Sequence, residues 1–467
     1  MALLAAINRI LIMPNDFWWH VRVGAIIVAE RAIPRQDVFT FTRYGAAWIY
    51  QSWLAEVALY LLYAAGGAAL VIFGHAVTIT AGYTLPLRDL IRRVGARAAA
   101  LAGLWAAALS LWNWNIRPQT FTFLLFGILV LLVERHRLAR GGGLWWVVPL
   151  FVIWANTHGG FVFGLAYLWT YIGAVVAREW WATRRVRGSR GLLLVGVAAT
   201  LAIGITPWGP LAMVRYVLGF LESKVTVQLN PEFKPLTLRQ PDGMLLFGSL
   251  LFLVLVVAIT SYRPSLEQVV PLVAFALAAL WAHRAISWYG MVVMPVLAEA
   301  IHAVWPSRAP SRPSVASGIL LGGLVLAVGI SLPWWRGQLP ARVAPTEFFA
   351  PTTPVAATRY LCQTVEQDAR VFQHQVFASY QIWACPRLRV FVDTRLELYP
   401  QEIWDDYLAV EQARFDWDAI LRRYEIDYLF LSTFYQPHLI RAARASASWE
   451  EIYADDVAVI FQFRPSP

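Results

Sequence analysis

The chain is divided into apolar runs, most of them close to the length that crosses a bilayer as a helix. About 20 residues are needed, because a helix rises ~1.5 Å per residue through a hydrocarbon layer ~30 Å thick. Such runs lie at 2–13, 68–86, 97–112, 119–134, 144–158, 160–178, 191–206, 244–260, 267–282, 286–302 and 317–333. The pattern predicts a multi-spanning helical membrane protein with about eleven spans. Composition agrees, since only 15% of the 467 residues are charged, against roughly 25% in soluble proteins. The first run is short and broken by Arg9, which points to a truncated or misassigned start. No small-residue cleavage site follows it, so it does not read as a cleaved signal peptide.

Arginine sets the expected orientation. Clusters occur at Arg88, Arg92, Arg93 and Arg97; at Arg135, Arg137 and Arg140; at Arg178, Arg184, Arg185, Arg187 and Arg190; and at Arg308 and Arg312. They fall in every second loop, so all can be cytoplasmic together. Loops 14–67, 113–118, 156–160, 207–243 and 283–286 then face outward. This parity leaves no room for Trp53–Gly66 as a further span. That segment is expected to be a helix on the outer membrane surface. The competing reading makes it a true span and miscounts a later pair.

Charge also divides the chain. Residues 345–467 hold 11 Arg against 17 Asp or Glu, whereas residues 1–344 hold 28 basic residues against 12 acidic ones. The expected organisation is a transmembrane domain over 1–343, with a first outer loop at 14–67, and a soluble α/β domain over 344–467. A Pro-rich connection joins them. In the tail, Pro354–Gln367 and Ile403–Val410 read as helices. Leu388–Val392, Asp427–Ser432 and Val457–Phe463 read as strands. The net charge of +10 reflects loop arginines rather than a nucleic-acid surface, and no nucleic-acid partner is expected. Cys362 and Cys385 show no metal-type spacing; they can form a disulfide if the tail lies outside the cytoplasm, and two reduced, buried thiols are the favoured reading.

Polar groups in so apolar a chain mark where chemistry can sit. Asp16 follows the first run within Asn15-Asp16-Phe17-Trp18-Trp19-His20. A carboxylate there could serve as a general base; equally, it could cap a surface helix over Val21–Ala29. Asp16 and His20 could share a metal on one helix face, but two ligands do not make a site, and a divalent metal stays open. Asp37 and Glu56 lie in the same outer loop. Arg117, His158, His283 and Arg284 occur at outward turns. Arg there suits a phosphate or pyrophosphate group, with interfacial snorkelling as the plainer account. Asp393 and Arg395 read mainly as a structural pair.

These motifs together resemble a known family. Asp16–His20, Ile33–Thr42, Trp53–Glu56, Arg117–Thr120, Trp154–Gly160 and Thr206–Gly209, with Phe391–Arg395 and Asp455–Val459 in the tail, resemble bacterial polytopic proteins grouped with the GT-C glycosyltransferase superfamily. That superfamily includes protein O-mannosyltransferases and aminoarabinose transferases. The resemblance implies a GT-C-like transmembrane domain in the cytoplasmic (inner) membrane, with an extracytoplasmic α/β tail. It implies transfer, usually inverting, from a polyprenyl-phosphate-linked sugar to a glycan, lipid or protein acceptor at the outer face. Asp16 matches the family's acidic residue after the first span, and Asp37 is the candidate second carboxylate. His20, Glu56, Arg117, His158 and Arg284 are the candidate substrate contacts. The first loop departs from the commonest family form, because no two acidic residues are adjacent in it. A non-catalytic binder or transporter of a lipid-linked intermediate is the alternative, and a degenerate assembly partner is a third reading. Most acidic groups lie in loops rather than mid-membrane, which favours the enzyme.

Overall fold

A computed structural model describes residues 1–140, 143–222, 230–306, 315–341 and 345–464. Arg308 and Arg312, expected to mark a cytoplasmic loop, lie outside the described residues. The chain forms two compact units. One takes Met1–Ile10, Phe73–Leu218 and the described residues onward to Trp335. The other joins Leu11–Ile72 to the described residues from Arg336 onward. The compositional split at residue 343 and these contact-based units are therefore different partitions: the first loop shares a unit with the tail.

The first unit is helical. It contains α1 (Ala2–Ile7), the later part of α3 (Trp53–Val94), α4 (Ala96–Ala108), α5 (Gln119–Arg137), α6 (Val147–Ala155), α7 (Phe161–Thr183), α8 (Arg190–Ala202) and α9 (Gly209–Glu222). After these come α10 (Pro241–Ile259), α11 (Leu266–Trp281), α12 (Ile286–Val304) and α13 (Val315–Ser331). Among the described residues, five helices are long and apolar enough to cross a membrane, and five shorter apolar helices accompany them. The run at 2–13 yields only the six-residue α1.

Helix α12 is buried along most of its length and packs on α4. A Cβ on Gly290 would come within 2.9 Å of the Ala106 carbonyl oxygen, so the missing side chain permits this approach. Gly82 of α3 and Gly127 of α5 meet backbone to backbone in the same way. Small residues at helix crossings are how apolar helices gain close packing where lipid offers no hydrophobic driving force. Phe126 stacks on Trp288 with ring centres 5.4 Å apart and meets Trp154 edge-on at 6.0 Å.

Helix α3 is broken at Gly66 and Gly67. Gly67 has φ 60° and ψ −156°, a combination open essentially only to glycine. Trp53–Gly66 and the long apolar stretch after it are thus separate helical arms, with the break where the sequence expectation ended the surface helix.

The second unit combines α2 (Phe17–Glu30), the first arm of α3 and a mixed sheet. A Cβ on Gly24 of α2 would strike the Glu56 carbonyl, so the two helices touch backbone to backbone. Helix α14 (Val355–Thr364) leads into β1 (Val371–Gln373) and α15 (Gln375–Ala384). Next come α16 (Gln401–Glu411), α17 (Trp417–Arg423), β2 (Tyr428–Ser432), α18 (Pro437–Ala445), β3 (Trp449–Ala454) and β4 (Ala458–Phe463). The strand order is β1-β2-β4-β3. β1 and β2 run parallel, with Val371 opposite Tyr428; β2–β4 and β4–β3 are antiparallel. Strand β2 is buried on both faces, as its continuous apolar run Tyr428–Leu431 requires. Edge strand β3 exposes Glu450 and Glu451, charges that discourage pairing with another chain.

Two sequence expectations change here. Leu388–Val392 is not a strand; Val390 alone bridges Thr40 and Val371. Its backbone exchanges hydrogen bonds with Phe39 and Phe41 of the first loop, at 3.0 and 3.1 Å. Cys362 and Cys385 are not reduced thiols. They form a disulfide with Cα atoms 5.5 Å apart. Their 23-residue separation carries no sequence signature of pairing; α14 and α15 pack together and bring them into reach.

Candidate functional site

The candidate residues gather into two clusters, one in each unit. In the second unit, Asp16 occupies the N-cap position of α2, but its side chain makes no capping hydrogen bond to the helix. Its side chain is partly exposed. The capping account of Asp16 therefore holds for its position and not for its carboxylate. One turn later, His20 Nδ1 lies 2.9 Å from Glu56 Oε1. Glu56 is buried, and its Oε2 has no hydrogen-bond partner among the described residues. Trp18, beside them in sequence, is fully buried among Tyr63, Phe349 and Tyr380. It packs as a core residue.

Asp37 is fully buried, and both its oxygens are taken up. Oδ1 accepts from the Phe39 backbone N–H at 3.3 Å and from Arg395 Nη2 at 2.6 Å. Oδ2 accepts from the Thr40 N–H at 3.1 Å and the Thr40 hydroxyl at 2.6 Å. Four donors fill the usual acceptor capacity of a carboxylate. Arg395 also donates to Asp393, with Nε 3.0 Å from Oδ1 and Nη2 2.5 Å from Oδ2. The expected Asp393–Arg395 pair is present, and Asp37 extends it to a triad. The rings of Trp19, Phe39 and Trp48 lie 5.3–5.6 Å from the guanidinium carbon, within cation–π range. Burial alone would lower the Arg395 pKa; Asp393 and Asp37 more than offset that and raise it. Burial likewise raises the Tyr50 hydroxyl, with the neighbouring carboxylates adding to the shift and Arg395 opposing it.

In the first unit, Arg117 sits just before α5, where Pro118 starts the helix. Its Nη2 donates to Glu232 Oε1 at 2.5 Å and to Asn113 Oδ1 at 3.1 Å. Glu232 lies on a short turn, Pro231–Phe233, capped by the Asn230 side chain. Burial would raise the Glu232 pKa, but Arg117 and then Arg284 hold it below the usual carboxylate value, so it is ionised. The Arg284 guanidinium lies 4.8 Å from the Phe233 ring centre. His283 stacks on Trp112, with centroids 4.2 Å apart, and contacts Asp242.

His158 lies in the turn between α6 and α7. Its Nδ1 accepts from the Gly160 backbone N–H at 3.0 Å, so the ring proton is assigned to Nε2. The Thr122 hydroxyl is also 2.9 Å from Nδ1. Since that hydroxyl accepts from Trp154 Nε1 at 3.0 Å, its own proton can point to the ring. Desolvation, with the Arg117 and Arg284 cations adding to it and Glu232 opposing, pushes the His158 pKa down to about 3. It is a neutral imidazole with an Nε2–H to donate. The cluster thus sets Arg117, Arg284 and a neutral His158 around the ionised Glu232, with Asp242 beside His283.

The sequence reading missed Glu232 as a partner of Arg117, and Asn113 and Thr122 as second contacts. Nothing local joins Glu232 to a residue 115 positions away. Glu299, on α12, is held by Arg93 and Arg137 at 2.8 and 2.7 Å. Among the described residues, no three His, Cys, Asp or Glu side chains are grouped to hold a metal.

The chain is structurally similar, across nearly its whole length, to GT-C glycosyltransferases. ArnT from Cupriavidus metallidurans, in the apo state, superposes with a TM-score of 0.55 at 16% identity, over 98% of this chain and 95% of that one. The same protein has been solved bound to undecaprenyl phosphate. The archaeal oligosaccharyltransferase AglB from Archaeoglobus fulgidus, in complex with an inhibitory peptide and a dolichol-phosphate, gives 0.57 at 12% identity, over 100% of this chain and 73% of that one. The mycobacterial arabinofuranosyltransferase AftD gives 0.55 at 14% identity, over 99% of this chain and 41% of that one. At these identities the likeness establishes a GT-C-like fold. No family model and no curated protein matches the sequence.

Proposed function

We propose that this chain is a membrane glycosyltransferase. It transfers a sugar from a polyprenyl-phosphate-linked donor to a glycan, lipid or protein acceptor at the outer face of the cytoplasmic membrane. About eleven spans, Trp53–Gly66 on the outer surface and an extracytoplasmic tail complete the reading. The observation that carries it is the GT-C-like fold over nearly the whole chain, shared with proteins solved with undecaprenyl phosphate and dolichol-phosphate. A disulfide in the tail supports an oxidising compartment for it.

In this proposal Asp16 is the general base. An acceptor hydroxyl is a weak nucleophile. As its oxygen attacks the anomeric carbon, the Asp16 carboxylate takes its proton. The bond from the sugar to the lipid phosphate breaks, and the departing phosphate gains charge. In the first unit, Arg117, Arg284 and neutral His158 are the candidate contacts for a lipid phosphate. Asp37, with all its acceptor positions engaged, holds the first loop in shape rather than moving a proton. His20 and Glu56 form the polar wall one turn after Asp16.

The test is transfer by proteoliposomes supplied with a panel of labelled undecaprenyl-phosphate sugars, for wild type and Asp16→Asn. Loss of transfer with normal folding supports the base role; equal transfer removes Asp16 from it. Tight undecaprenyl phosphate binding without turnover of any donor would favour the non-catalytic binder.

A further inference from the structure

A second polar cleft lies at the other ends of α5 and α7. It measures about 660 Å³ and is lined by His136, Trp145, Arg178, Ser189, Leu192 and Val195, among others. Arg117 precedes the first turn of α5, whereas His136 lies in the last. His158 precedes α7, and Arg178 lies near its end. Nineteen residues of α5 at ~1.5 Å each separate the two places by about 28 Å. The cleft is therefore not part of the Arg117 cluster.

Its surroundings are strongly basic. From Glu134 to Arg190 the chain carries eight Arg and two Glu. Glu179 also lines the cleft, beside Arg178. Glu134 is paired with Arg93 and Arg137. Glu179 accepts from the Gly188 and Ser189 backbone N–H groups at 2.7 and 2.8 Å, and from the Ser189 hydroxyl. Arg178 is anchored at one edge only, with Nε 2.8 Å from the buried Glu267 carboxylate. Its side chain stays 65% exposed, and its two Nη groups make no hydrogen bond among the described residues. That leaves the fork free for a bidentate phosphate contact. Leu144, Val175, Leu192 and Val195 supply an apolar wall. Trp145 and Trp146 are more than half exposed, as rings at a membrane interface are.

We propose that this cleft binds the headgroup of an anionic phospholipid, with the phosphate on Arg178 and the upper acyl chain along Leu192 and Val195. Basic pockets between spanning helices recognise such headgroups by this combination of charge and apolar surface. The leaflet is the one opposite the Arg117 cluster. The inference needs only a membrane-embedded chain and stands apart from the transferase reading.

Gly191 supplies the test. It lines the cleft, in the first turn of α8, and a Cβ there meets nothing within 4 Å. Gly191→Glu puts a negative charge into open space, and a carboxylate in the first turn favours the helix, so the fold should hold. The full chain is equilibrated in detergent with equal phosphatidylglycerol and phosphatidylcholine, and retained lipid is read by native mass spectrometry. Wild type is expected to enrich phosphatidylglycerol about fivefold, the worth of one arginine near an anionic lipid; Gly191→Glu is expected to lose that enrichment. No enrichment in wild type, or equal enrichment in both, overturns the proposal. Displacement of the lipid by millimolar inorganic phosphate alone also overturns it, because the site would then take a free anion.

Discussion

Arg395 and Arg117 each meet a carboxylate, at 2.6 and 2.5 Å, yet their surroundings differ. Arg395 is enclosed with two carboxylates and three aromatic rings, and almost none of its side chain reaches solvent. The carboxylates outnumber the cation, and Asp37 has no acceptor position left. Arg117 and Arg284 share one ionised carboxylate, beside a neutral His158. The first arrangement ties the first loop to the tail within one unit; the second sets two arginines around one ionised carboxylate. A carboxylate whose acceptor positions are all engaged, as those of Asp37 are, is held rigidly, although Arg395 Nη1 makes no hydrogen bond among the described residues.

The largest test of this contrast leaves both arginines in place. Asp16→Asn should lower transfer by about 100- to 10,000-fold, the usual worth of a positioned base, with an unchanged unfolding temperature. A parallel fall in stability would make Asp16 a structural residue like Asp37. Arg395→Met should do the reverse of Asp16→Asn. Leaving Asp37 and Asp393 buried without their cation should cost about 3–5 kcal/mol, read by thermal unfolding in detergent. If transfer fell while stability held, the fixed-core reading of this triad would be wrong.

A smaller effect is expected at the other cation. Arg117→Gln should weaken binding of undecaprenyl phosphate by roughly tenfold, as loss of a charge-assisted hydrogen bond implies, and change stability little. Equal binding by wild type and variant, in a titration, would show that Glu232 already uses all of its charge. The smallest effect concerns pH. The folded His158 pKa is about 3, against an ordinary value of 6.5. Below 6.5 the unfolded chain binds a proton there that the folded chain refuses. Stability from this group is complete above that value and is lost as pH falls toward 3. His158→Gln should flatten the acid side of the stability profile relative to wild type; parallel profiles would show that the ring is charged in the fold.

How much of this was legible beforehand varied by element. Helix α16 and strands β2 and β4 follow their local patterns, and all three form where the periodicity placed them. Strands β1 and β3 and helices α15, α17 and α18 were not anticipated. β1 has three residues, too few for a period to show. The Leu388–Val392 run has strand composition, but its backbone partners lie in the first loop. For the site, residue type and loop position picked out Asp16, Arg117, His158 and Arg284. They could not say that Asp37 would spend its oxygens on Thr40 and Arg395.

The sequence by itself determined the membrane character, and its motifs carried the resemblance to the GT-C superfamily. Hydropathy is summed over neighbouring residues, and bilayer thickness demands a fixed run of them, so that information is local. Only the tertiary structure decided the partners. Asp37 meets Arg395 across 358 positions and Arg117 meets Glu232 across 115, and Cys362 closes on Cys385 because two helices pack. Which charge ends up buried with which is set by packing.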